Sequence, residues 1–156
     1  MTKESPFNKI TADTVDKIII YTDGGSRGNP GPAGIGVWIE TLNKKYGETI
    51  GVATNNDAEY QALIFALKKC KALLGKQKAK RANLECRLDS ELIVKQLNHE
   101  YKISKENTQR YFMEVWNLMI DFGDIVFVHI PREQNKIADT MVNQALDGEL
   151  GQGGLL

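Results

Sequence analysis

A mixed α/β domain is the fold class this sequence predicts, and three observations predict it. Three strand-like runs precede the first helical stripe; the hydrophobic period then switches from about 2 to about 3.6 residues near position 54; and strand-like and helix-like segments alternate from there to the end. The order βββαβααβα puts antiparallel strands first and crossover-linked strands after. With 156 residues, 42% hydrophobic and 26% charged, the chain has the composition of one ordinary domain, which excludes disordered, collagenous and disulfide-scaffold classes. Such a length buries on the order of 70% of the unfolded surface, enough for a real core.

Each element has its own signal. Residues 1–16 are polar and aperiodic and read as a flexible N-terminal extension; the domain proper spans 17–148, and the Gly-rich stretch 149–156 reads as a flexible tail. KIIIYTD (17–23) is β-branched and nearly all apolar, as in a strand buried on both faces, and GGSRGNPGP (24–32) reads as a loop. AGIGVWIE (33–40) and KYGETIGVA (45–53) alternate as two further strands of a meander. In TNNDAEYQALIFALKKCKALL (54–74), apolar residues at 58, 62, 63, 66, 67, 70, 73 and 74 form a helical stripe, with Asn55, Asn56 or Asp57 as the expected cap. A basic connection leads to a strand, NLECRL (83–88), and to a helix at 89–101 entered through Asp89 or Ser90. A helix at 107–123, a strand at 124–131 closed by Pro131, and a last helix at 133–148 stopped by Gly148 complete the chain. Phe65, Trp38, Phe112, Trp116 and Phe122 fall on expected apolar faces and read as core.

Net charge is zero, which argues against bulk positive charge as a means of holding nucleic acid. The charge is segregated, however: residues 61–105 carry eleven Lys and Arg against four acids, a solvated face or a phosphate-facing one. No apolar run approaches the roughly 20 residues a membrane helix needs, and the N-terminus lacks a secretory signal, so a cytoplasmic protein with no membrane partner is expected. Cys70 and Cys86 lack metal-type spacing and read as buried free thiols.

Four carboxylates stand out by placement. Asp23 ends the first strand, Glu59 lies in the first turn of the first helix, Asp89 ends the fourth strand, and Asp139 lies early in the last helix. Strand carboxyl ends and the helix starts beside them share one edge of an open α/β sheet, so the four can converge. Taken singly, each acid reads as a surface charge or a helix cap; the coincidence of position sets the group apart. Like charges at one spot need a cation among them, and oxygen-only ligation favours Mg²⁺ or Mn²⁺. GGSRGNPG has neither a P-loop lysine nor G-x-G-x-x-G spacing, so its glycines suit close approach of a polymer backbone better than a nucleotide cradle. His99 and His129, thirty residues apart and without cysteine company, do not form a metal pair.

Four segments, YTDGGSRGNPGPAGIG (21–36), TNNDAEYQAL (54–63), LDSELIVKQLNHEYK (88–102) and HIPREQNKIADTMVNQAL (129–146), together resemble the type 1 ribonuclease H family, each delivering one of the four acids. The resemblance implies a ribonuclease H-like α/β fold, a five-stranded mixed sheet in the order 3-2-1-4-5 flanked by helices. It implies an endoribonuclease that hydrolyses the RNA strand of an RNA/DNA hybrid, the expected partner; a monomer is the default expectation. The catalytic and metal-holding residues would be Asp23, Glu59, Asp89 and Asp139, sharing two Mg²⁺ ions about 4 Å apart, with Mn²⁺ a possible substitute. Products would carry 5′-phosphate and 3′-hydroxyl ends. Gly24, Gly25, Ser26, Asn29, Asn55, Asn56 and Ser90 match family positions that touch the hybrid, and Glu59 also fits a reader of the 2′-hydroxyl.

The intact quartet of acids opposes the alternative, a catalytically silent ribonuclease H-like domain that only binds nucleic acid. Three departures from the family pattern stand out. The connection HEYKISKENTQ (99–109) is short where some members carry a basic, tryptophan-containing insertion, and Glu91 stands where some have an uncharged residue. For product release, His129 has the family's ungapped spacing to Asp139, whereas the strand pattern holds His129 in the sheet and favours Arg132, just past Pro131.

Overall fold

Continuous β-branched and apolar runs become the middle of a five-stranded sheet in the computed structural model, which describes residues 17–150. The expectations for 1–16 and 151–156 lie outside the described residues. β1 (Lys17–Ser26) is central; β2 (Gly31–Ile39) pairs with it antiparallel and β3 (Lys44–Ala53) pairs antiparallel with β2. β4 (Asn83–Leu88) and β5 (Asp124–His129) add in parallel on the other side, giving the order 3-2-1-4-5. The parallel half needs crossover connections, and the helices α1 (Asn55–Leu74), α2 (Lys76–Arg81), α3 (Glu91–Leu97) and α4 (Glu106–Met119) lie in them, with α5 (Lys136–Leu146) closing the chain.

Alternation along the strands decides which side is core. Ile18, Ile20 and Thr22 of β1, Val37 and Ile39 of β2, and Leu84, Cys86 and Leu88 of β4 are all buried. The apolar ones among them pack with the α1 stripe, of which Ala58, Ala62, Leu63, Ala66, Leu67 and Cys70 are fully buried. Both thiols are buried and free, and burial pushes the Cys70 thiol up to about 12, so neither is a nucleophile near neutral pH. The basic half of α1 is a solvated face: Lys68 meets Glu114 at 3.1 Å and Lys71 meets Asp121 at 3.1 Å. No helix among the described residues is long and apolar enough to cross a membrane.

Several local expectations are revised. β1 runs on through Gly24 and Gly25 to Ser26, because these residues pair with Ile35, Gly34 and Ala33 of β2, leaving only Arg27–Pro30 as the loop. The cap of α1 is Thr54, whose hydroxyl accepts from Asp57 N–H at 3.1 Å, one residue earlier than the asparagines. The basic connection contains a helix, α2, and α3 stops at Leu97 because His99 turns left-handed at φ 65°. Trp116 is 51% exposed rather than core; with Met113 and Ile120 it forms an open apolar edge of α4.

Candidate active site

Two glycines admit the helices that carry acids to Asp23. Gly36 is the register partner of Asp23 across β1 and β2, so the two project to the same side of the sheet. A Cβ at Gly36 would lie 2.0 Å from the Ala138 carbonyl oxygen, so only glycine lets α5 lie so close, and the next residue on α5 is Asp139. On the opposite side, a Cβ at Gly24 would lie 2.2 Å from the Ala58 carbonyl carbon and 2.5 Å from the Glu59 nitrogen. That contact seats the first turn of α1, and with it Glu59, against the strand. The parallel register that pairs Thr22 with Leu88 brings Asp89 beside Asp23.

Carboxylate oxygens of Asp23, Glu59 and Asp89 lie within 4.8 Å of one another, and Asp139 is near enough to act on the Asp23 carboxyl. Asp23 and Glu59 are only 8% and 7% exposed, whereas Asp139 is open to solvent. Burial first, then the charges of Asp89 and Asp139, raise the Asp23 carboxyl from 3.8 to about 8. Burial also holds Glu59 well above the ordinary carboxylate range, with Asp23 and Asp89 adding to it and Arg132 and the Gly24 N–H opposing. Glu59 Oε1 is buried without a hydrogen-bond partner. A buried carboxylate oxygen left unpaired beside two more carboxylates is the donor set a hard divalent cation takes, and the site fits one.

The cleft over these acids has a volume of about 380 Å³ and is walled by Gly24, Gly25, Ser26, Asn55 and Arg132 on one side and by α5 on the other. Ser26 N–H donates to Asn55 Oδ1 at 2.9 Å and Asn55 N–H to Asn29 Oδ1 at 2.9 Å, so the β1–β2 loop and the start of α1 are tied into one polar rim. Ser26 Oγ also donates to the Gly28 carbonyl. Asn56 is exposed and Ser90 is the cap of α3, accepting from Ile93 N–H at 3.3 Å; neither lines the cleft. Arg132 stands in a 3₁₀ turn at the cleft, while His129 is the last residue of β5, exposed and outside it. Glu91 is 3.3 Å from Lys95 within α3.

Sequence reasoning missed three residues of this region. Asn135 is 1% exposed and its Nδ2 donates both to Thr22 O and to Asp89 Oδ2, each at 2.9 Å. Arg27 reaches across the cleft to Asn143 Oδ1 at 3.3 Å and to Asp147 at 2.7 Å. Asn135 had one available signal, a polar residue four positions before Asp139; Arg27 and Asn143 had none, since their meeting depends on how α5 lies on the sheet.

Comparison with known proteins agrees with this geometry. The family described as reverse transcriptase-like matches residues 21–145. Ribonuclease HI of Halobacterium salinarum is 38% identical over 143 residues, covering 88% of this chain and 68% of that protein. A bifunctional protein of Mycobacterium tuberculosis is 36% identical over 136 residues, but the chain spans only 36% of its length. Among solved structures, LC11-RNase H1 in complex with an RNA/DNA hybrid superposes with a TM-score of 0.78 at 45% identity, over 85% of this chain and 98% of that one. The RNase H1 of H. salinarum gives 0.76 at 38% identity, over 85% and 99%.

Proposed function

The chain belongs to the type 1 ribonuclease H family and is a ribonuclease H, and from that premise we propose that it cuts the RNA strand of RNA/DNA hybrids at the acidic cleft, using divalent cations held by Asp23, Glu59, Asp89 and Asp139. The observation that carries this reading is the convergence of Asp23, Glu59 and Asp89 within 4.8 Å, with Glu59 Oε1 buried and unpaired. Two Mg²⁺ ions, or Mn²⁺ in their place, would supply Lewis-acid charge at the scissile phosphate and a lowered pKa for the attacking water. In this reading Asp23, central among the four, would help hold both ions, Asp139 would hold the nucleophile-side ion, and Glu59 and Asp89 the leaving-group side.

Around the acids, the chain's own groups hold the substrate. Gly24 and Gly25 line the cleft without side chains, Ser26 stands beside them, and Asn29 accepts the Asn55 N–H at the same rim. Asn56 and Ser90, outside the cleft, would touch the hybrid beyond it. Glu59 would also read the 2′-hydroxyl that distinguishes RNA from DNA. Products would bear 5′-phosphate and 3′-hydroxyl ends. The protein acts as a monomer in the cytoplasm in this reading.

Arg132 is the proposed product-release residue, because it lines the cleft and faces Glu59, whereas His129 lies outside. Arg132→Ala should lower steady-state turnover severalfold with little change in substrate binding; a fall confined to His129→Ala would reverse the assignment. The reading as a whole is tested on labelled RNA/DNA hybrid, RNA duplex and DNA duplex, each with and without Mg²⁺. Cleavage of the RNA strand of the hybrid alone, and only with metal, is expected. Metal-dependent cutting of duplex DNA, or hybrid binding without cleavage, would replace it.

A further inference from the structure

Asn135 lies between two acceptors with no donor of its own to spare. Its side-chain amide is buried at the start of α5, and the single nitrogen Nδ2 donates to the Thr22 carbonyl and to Asp89 Oδ2, both at 2.9 Å. Each proton of the amide has one of these partners. Oδ1 has none. The orientation of the amide is therefore set by its donors: rotating it would place Oδ1 against two oxygens, one of them a carboxylate, and leave both protons without acceptors. One bond reaches β1 at the residue before Asp23 and the other reaches the carboxylate that follows β4, so a single side chain at the N-cap of α5 links β1, the end of β4 and the start of α5, where Asp23, Asp89 and Asp139 stand.

We infer that Asn135 is a positioning residue for the metal site, holding Asp89 by its Oδ2 so that the other carboxylate oxygen is the one offered to a cation. The inference rests on the reading of the four acids as cation ligands. Asp89 follows the last residue of β4 and precedes the cap of α3, so its own backbone leaves the carboxylate rotor free; the amide of Asn135 supplies the constraint. A ligand carboxylate oriented by an outer hydrogen bond binds metal better because less rotamer freedom is lost on binding, and removal of such partners typically costs about 10- to 100-fold in affinity. Asn135→Asp keeps the shape but replaces the donor by an oxygen; Asn135→Ala removes the amide altogether.

The decisive measurement is Mg²⁺ and Mn²⁺ binding to the folded protein by calorimetry, alongside melting temperature and hydrolysis of an RNA/DNA hybrid as a function of metal concentration. Both Asn135 variants should bind metal at least about tenfold more weakly. Their turnover should be restored in part by raising Mg²⁺, with KM for hybrid unchanged. In an Asp89→Asn background, Asn135→Ala should cost no further metal affinity, since the residue acts through Asp89. If the variants melt lower yet bind metal as tightly as the parent, Asn135 is only structural and the inference fails. If Asn135→Ala does not fold, Asn135→Asp carries the same comparison. Absence of metal binding in the unaltered protein would instead overturn the assignment of the acids themselves.

Discussion

The core between the sheet and α1 and the acidic edge of the same sheet are built on opposite terms. In the core, Ile20, Val37, Leu63 and Leu67 are fully buried apolar side chains in mutual contact, and every one gains from leaving water. At the edge, Asp23 and Glu59 are nearly as buried, yet each is pushed away from its ordinary ionisation by burial and by the other acids. One region lowers the free energy of the fold; the other raises it. The fold tolerates a locally unfavourable cluster because α1 serves both, with its apolar stripe in the core and its first turn at the edge.

Asp23→Asn separates the two regions most sharply. Cleavage should fall to background, while the metal-free protein at neutral pH should melt higher by about 3 °C or more, since Asn is buried without the proton that Asp23 must take up on folding. The rise in melting temperature that Mg²⁺ gives the parent by mass action should shrink or vanish in the variant. An active Asp23→Asn protein, or one that melts lower than the parent, contradicts the division. Leu67→Ala makes the converse test. It should cost about 2–5 kcal/mol of stability, read by chemical denaturation, and leave turnover below the melting transition within about twofold of the parent.

Gly24 is the joint between the regions. Gly24→Ala puts a Cβ 2.2 Å from the Ala58 carbonyl carbon, so the helix must shift and both stability and activity should fall, stability by about 1–3 kcal/mol. Gly25→Ala is the control: its Cβ would meet only Val142 Cγ1 at 3.7 Å, and melting should hardly change.

A pH series on the metal-free protein gives a smaller, graded effect. Asp23 keeps its proton to about 8 when folded but loses it near 4 when unfolded, so the native state binds the extra proton between these values. Stability from this group is full below about 4 and falls as pH rises to about 8. Saturating Mg²⁺ should flatten that slope, because the charged form is then the one favoured; melts that rise with pH in chelator would sink the argument. The smallest effect belongs to neither region: Lys68→Ala breaks an exposed ion pair with Glu114 and should change stability by no more than about 0.5 kcal/mol.

Strand and helix order, and the four acids, were legible in the sequence because hydrophobic period and local chemistry are properties of short segments. KIIIYTD announces a buried strand by its β-branched run, and the stripe from Ala58 to Cys70 announces α1 by its spacing. Glu59, Asp89 and Asp139 sit at a helix start or just past a strand end, positions that follow from element boundaries alone, whereas Asp23 lies three residues inside β1. The strand through Gly24–Ser26 was not legible, since glycines carry no pattern and their pairing with Ile35, Gly34 and Ala33 is set by the partner strand. Trp116 escaped for the related reason that an apolar residue on a helix does not reveal whether anything covers it.

By itself, then, the sequence determined the strands, every helix but α2, their order and the residue types that can hold a hard cation, all of which depend on neighbours within one or two turns of chain. Tertiary structure alone decided that Gly36 and Gly24 would seat α5 and α1 on either side of Asp23, and that Asn135, 46 residues from Asp89, would hold that carboxylate. The physical reason is that close approach and hydrogen-bond geometry are properties of pairs of elements: register between strands and the missing Cβ of a glycine convert four separate acids into one site.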